Sequence, residues 1–68
     1  MTRPEMIEEV LKWDRAAIAR KDVPMRKRLW RLIDDLDHGK LTKESVELLD
    51  SMKQTEAVIE IRKGVEHE

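Results

Sequence analysis

Residues 24–37 read PMRKRLWRLIDDLD. Met25, Leu29, Leu32, Ile33 and Leu36 recur at helical spacing, which predicts an amphipathic helix with one apolar stripe. The polar positions of this helix are sorted by sign. Arg26, Lys27, Arg28 and Arg31 fall in its first half, and Asp34, Asp35 and Asp37 in its second. A helix N-terminus is electropositive and a C-terminus electronegative, so this order opposes the dipole at roughly 0.3–1 kcal/mol per exposed terminal charge. Intrahelical pairs such as Arg31 with Asp34 or Asp35 return only about 0.2–0.5 kcal/mol each. The pattern therefore calls for counter-charges from elsewhere: other helices, an anionic surface, or a second copy laid head to tail.

Trp30 falls at the margin of the stripe, flanked by Arg26 and Asp34 one turn away on either side. An aromatic in that position either closes over the core as a rim residue or serves as an interface anchor. Arg26 is also placed to sit over the ring in a modest cation–π contact.

Upstream, Thr2-Arg3-Pro4-Glu5 fits a capping box with proline in the first turn. Met6, Ile7, Val10, Leu11, Trp13, Ala17 and Ile18 continue it as a helical stripe. Asp14 interrupts that stripe. A buried carboxylate is expensive without a partner, so Asp14 is expected to meet a Trp N–H, an Arg or a hydroxyl, within the chain or across a subunit interface; the alternatives are a solvated Asp14 on a surface helix and a catalytic acid, for which no second group lies near in sequence. Lys21 to Pro24 is a tight connection in which Asp22 or Val23 caps the next helix, since proline disfavours helix at the residue before it.

Downstream, Gly39 suits the left-handed position that ends a helix. Thr42 is an N-cap, preceded by Leu41, with Val46 placed to close a hydrophobic staple. The run DDLDHGKLTKES invites comparison with a calcium loop. An EF-hand needs a glycine at the sixth position, oxygen ligands at the first, third and fifth, and a glutamate at the twelfth. With Gly39 at the sixth, Leu36 occupies the third and Ser45 the twelfth, so the ligand set fails.

A third helix is expected to start near Thr42 and run to Lys63, with Gly64 as its stop and 65–68 as a polar tail. Leu48, Leu49, Met52 and Ile59 share one face of it, with Thr55 between. Val46, Ala57, Ile61 and Val65 share another. Two apolar faces exceed what a small core requires. Either the helix continues into a partner, or it breaks near Gln54-Thr55, with 57–61 then able to form a short strand. The continuous helix is preferred, because a lone strand has no visible pairing partner.

The chain has 68 residues, which allows one domain. A chain of this size buries a modest core and is commonly helped by disulfides, metals or a second copy. With no cysteine, disulfides and thiolate sites are excluded. Charged residues make up 43% with a formal net charge of -1, too balanced for a generic nucleic-acid binder. Asparagine is absent and Gln54 is the single glutamine, a thermophile-like lean. No apolar run spans a bilayer and no signal peptide is visible, which makes the cytoplasm the expected location.

Catalytic motifs are missing. There is no glycine-rich phosphate loop, and Ser45 and Ser51 have no histidine near them in sequence. His38 ends the second helix near three aspartates and His67 lies in the tail, which suits a helix C-terminus more than a metal site. A helix-turn-helix reading would put Glu44, Glu47 and Asp50 against phosphates.

The fold expected is all-α: a three-helix bundle or a helical-hairpin homodimer with a long third helix, the helices spanning about 3–20, 24–37 and 43–63. The function expected is that of a small non-enzymatic protein-interaction module that self-associates as a homo-oligomer and binds another macromolecule. Arg26, Lys27, Arg28, Trp30 and Arg31 are the candidate partner-binding residues. Asp14, Val46, Ala57 and Ile61 are the candidate contacts between copies. No metal or cofactor is called for. The alternative is a DNA- or RNA-associated protein that uses the basic cluster for weak, salt-sensitive binding.

Overall fold

The computed structural model describes residues 2–52 and 55–66, with 65 and 66 as backbone alone. Four helices follow in order: α1 Arg3–Ala19, α2 Val23–His38, α3 Lys43–Ser51 and α4 Glu56–Glu66. No strand occurs among the described residues, and 57–61 is helix.

The helix ends follow the capping chemistry. Glu5 Oε1 accepts from the backbone N–H of Thr2 at 3.4 Å and from its hydroxyl at 2.8 Å, which closes the start of α1. Asp22 caps α2, its Oδ1 accepting from Met25 N–H at 3.2 Å. Lys21 sits between these helices with a φ of 57°, and the N–H groups of Lys21 and Asp22 donate back to Ile18 and Ala17 carbonyls. Gly39 ends α2 with a φ of 76°, a left-handed conformation that glycine adopts without a Cβ penalty.

α1 and α2 form an antiparallel hairpin. Its register is fixed at one end by the Asp22–Ala17 turn, in the middle by Arg26 with Asp14, and at the other end by Arg3 Nη1 donating to the Asp37 carbonyl at 3.4 Å. The core runs through all four helices. It holds Met6, Val10 and Ala17 of α1, Leu29, Leu32 and Leu36 of α2, Leu48 and Leu49 of α3, and Val58 and Ile61 of α4. Ile7, Trp13, Met25, Ile33, Leu41 and Met52 pack against it half-buried.

The long third helix expected over 43–63 is two helices. α3 stops at Ser51, whose hydroxyl donates to the Leu48 carbonyl at 2.7 Å, and Met52 is extended. Thr55 caps α4 by accepting from Val58 N–H at 3.3 Å. Of the break expected as the alternative near Gln54-Thr55, Gln54 lies outside the described residues. The physical reason for two helices is the two apolar faces. A straight helix would point them in different directions, whereas the corner lets Leu48, Leu49, Val58 and Ile61 all enter one core.

Gly64 is not a stop either, since α4 continues to Glu66. A Cβ at Gly64 would collide with the tip of Met6, so this glycine marks where α4 approaches α1. Of the tail expected over 65–68, residues 65 and 66 belong to α4, and 67 and 68 lie outside the described residues. No described helix is long and apolar enough to cross a membrane.

Candidate functional site

Helix α2 packs against both α1 and α3. That position divides the basic cluster. Successive residues on a helix step about 100° around its axis, so neighbours in sequence face different partners.

Arg26 turns toward α1. Its Nε lies 3.2 Å from Oδ1 of Asp14, which is 4% exposed. The counter-charge for Asp14 thus comes from its own chain, and no buried side-chain polar atom among the described residues lacks a hydrogen-bond partner. Arg26 is half-buried by this contact and does not stand with the other cations.

Arg28 and Arg31 turn toward α3, and Lys27 stands at the border between that side and the outer face of α2. They line one wall of an open groove of about 460 Å³. Glu44 and Glu47 of α3 line the other, with Leu48 and Ser51 between. Arg31 Nε and Glu44 Oε2 stand 3.9 Å apart with both side chains exposed, a pairing worth well under about 1 kcal/mol. The groove is therefore amphoteric, with cations on one wall facing anions on the other.

The acids of α2 are also divided. Asp35 is buried, and its Oδ2 accepts from Thr42 N–H at 2.9 Å, Thr42 Oγ1 at 2.7 Å and Ser45 Oγ at 2.5 Å. Burial pushes this carboxyl up, but the hydrogen bonds from Ser45 and Thr42 together outweigh it and hold it below the ordinary aspartate range. An acid that opposes the dipole of α2 thereby sits at the electropositive N-terminus of α3. Asp34 stays exposed beside His38, whose Nδ1 lies 2.7 Å from the Asp34 carbonyl oxygen and 3.7 Å from Oδ1. The backbone hydrogen bond to Asp34, and then its carboxylate, hold His38 above the ordinary histidine value. Among the described residues, no three His, Cys, Asp or Glu side chains gather as a metal site.

Trp30 stands apart from both the groove and the core. It is 51% exposed on the outer face of α2. Exposed Val23, Lys27, Asp34 and Asp37 share that face at alternating spacings of four and three residues.

The residues expected to contact a second copy are mostly covered within one chain. Asp14 and Ile61 are buried, and Val46 and Ala57 are half-buried. The five expected partner-binding residues are dispersed into the Asp14 pair, the α2–α3 groove and the outer face. The role of Asp35 escaped the sequence reading, although the spacing from Asp35 to Thr42 across a glycine turn was there to suggest it. The chain matches no protein-family model, no curated protein and no solved structure.

Proposed function

We propose that this chain is a small non-enzymatic protein-interaction module that acts by self-association and by binding another macromolecule. The observation that carries this reading is Trp30. A large aromatic stands half in water, with Lys27 and Asp34 on the same face one turn away on either side. Covering the exposed part of an indole, on the order of 100 Å², contributes about 2–3 kcal/mol to association. Aromatics bordered by charge are the usual anchors of protein interfaces.

The two apolar faces of 43–63, first read as a sign of a partner, support self-association less now that Ile61 and Leu48 share the core of one chain. The outer face of α2 takes their place. Absolute mass by light scattering at low and high salt, on the wild-type chain and on Trp30→Ala, tests the reading. The expected result is an assembly for the wild type that Trp30→Ala weakens. A monomer under every condition would remove self-association.

A second reading, binding of DNA or RNA, rests on Lys27, Arg28 and Arg31 sharing one wall of a groove. Glu44 and Glu47 on the facing wall weaken it, because they repel phosphate. An electrophoretic shift with duplex DNA at low salt, lost on charge reversal of these three cations, is the measurement that would favour it.

A further inference from the structure

The outer face of α2 carries a pattern that narrows the occupant to one. Val23, Lys27, Trp30, Asp34 and Asp37 are all exposed and follow the four–three spacing of a helix–helix seam. Their charges change sign about the midpoint of the seam, and Trp30 is that midpoint. Lys27 lies three residues before it and Asp34 four after, within one residue's rise (~1.5 Å) of equal distances.

We infer that this seam is the contact surface for a second copy of this chain, with two α2 helices crossing antiparallel about a two-fold axis at Trp30. The inference rests on the self-association reading above and fixes where the copies meet. In this arrangement the indoles meet at the axis. Lys27 lies opposite Asp34 of the partner subunit, and Asp34 lies opposite the partner's Lys27. Such an isologous contact repeats every favourable pair twice.

Orientation is decided by charge. Parallel helices would set Lys27 beside the partner's Lys27 and Asp34 beside the partner's Asp34, and both juxtapositions are repulsive. Lys27 borders the α2–α3 groove with Arg28 and Arg31, and the Glu44 and Glu47 of its far wall are the charges in its own chain that the partner's Asp34 must outcompete. Arg26 is engaged by Asp14, and Asp35 by Thr42 and Ser45. Asp34 carries a 3.7 Å contact with the exposed His38. The seam gives a role to the part of this order that its own chain leaves exposed, Lys27 before Asp34 and Asp37. The order is unfavourable for the helix alone and complementary for two copies laid antiparallel. One helix face buries less than the ~1,600 Å² of a standard interface, so the dimer is a weak one that salt dissociates.

The test uses the full chain and two single charge reversals, Lys27→Glu and Asp34→Lys, with association followed by sedimentation equilibrium at low salt up to millimolar protein. Both side chains are exposed, and helix content by circular dichroism checks folding. Each variant alone sets two like-charge pairs across the axis, and its dimer should weaken by roughly tenfold or more. An equimolar mixture restores both pairs, because Glu at position 27 of one copy meets Lys at 34 of the other while Lys27 meets Asp34. The mixture should therefore dimerise as well as the wild type. The double variant Lys27→Glu/Asp34→Lys should dimerise with itself and not with the wild type. It keeps the test open if one single variant folds poorly. A wild-type dimer whose single variants stay dimeric, or whose mixture stays monomeric, overturns this interface while leaving self-association standing. A wild-type monomer up to millimolar concentration overturns both.

Discussion

Asp35, in the last turn of α2, holds Thr42, the cap of α3, through both the backbone N–H and the hydroxyl. One carboxylate oxygen thus ties the end of one helix to the start of the next and meets the N-terminal dipole of α3. Asp35→Ala leaves three donors without their acceptor in a buried place and should cost about 2–3 kcal/mol. Asp35→Asn, which keeps an acceptor but loses the charge, should cost roughly half as much. Urea unfolding followed by circular dichroism measures both, and a loss below 0.5 kcal/mol for the alanine variant would contradict the role described.

The same carboxylate makes stability fall in acid. Its folded value lies below its unfolded one, so its contribution is complete above the unfolded value of about 3.9 and is lost as pH drops through the lower folded value. Asp35→Asn should flatten the acid limb of the stability profile. His38 has the opposite sign. Its folded value is raised, so its contribution is present below about 6.5 and fades as pH rises through the folded value. His38 is exposed, so the clean readout is its own NMR titration, which Asp34→Asn should move downward.

Asp14 and Arg26 should be coupled. Removing Arg26 leaves a buried carboxylate without its cation, so Arg26→Ala is expected to destabilise by about 1–3 kcal/mol. Adding Asp14→Ala should recover part of that loss, because the unpaired charge is gone. A double-mutant cycle with strictly additive losses would show that the 3.2 Å contact is energetically idle.

Two turns that look alike in the backbone should respond oppositely to substitution. Lys21 and Gly39 both have positive φ, 57° and 76°. Lysine bears the left-handed penalty that glycine avoids, so Lys21→Gly should stabilise by about 1 kcal/mol. Gly39→Ala should destabilise by about the same amount. Thermal midpoints moving in opposite directions by several degrees check the pair.

Ile61 and Trp30 were both candidates for contacts beyond the chain, and they should now separate. Ile61 is fully buried among its own helices, so Ile61→Ala should cost about 2–4 kcal/mol of folding stability. Trp30→Ala should leave monomer stability within about 0.5 kcal/mol and act on association alone. Unfolding at micromolar protein, where association is absent, distinguishes them.

The hairpin was readable from the chain because its signals are local. Thr2, Asp22, Gly39 and Thr42 each cap an element through residues a few positions away, and the stripes of α1 and α2 follow the helical period. The corner between α3 and α4 carries no proline or glycine, so Thr55, the cap of α4, was its one local sign, and it supported the break only as the alternative. The corner follows from where Val58 and Ile61 must go once α1 and α2 are in place. Gly64 misled for the converse reason: a glycine late in a helix suggests an end, but here it serves a contact with Met6, nearly sixty residues away. The contiguity of the basic cluster does not carry over into space. Arg26, Lys27, Arg28, Trp30 and Arg31 form one patch on the sequence line and three separate environments around the helix. Which faces were free depended on the positions of Asp14 and Glu44, and these are fixed only by packing.

The lengths of the helices carry a consequence for how the molecule assembles. α1 and α2 have 17 and 16 residues, whereas α3 and α4 have nine and 11. Helices under about 12–15 residues are marginal in water by themselves. The shorter pair therefore depends on docking against the hairpin, and the cap residue of α3, Thr42, is held in place by Asp35 of the last turn of α2. Amide protons of α4 should exchange with solvent by partial opening, ahead of those in α1 and α2. The chain is in this respect a long hairpin with two short helices that depend on it, α3 on α2 and α4 on α1.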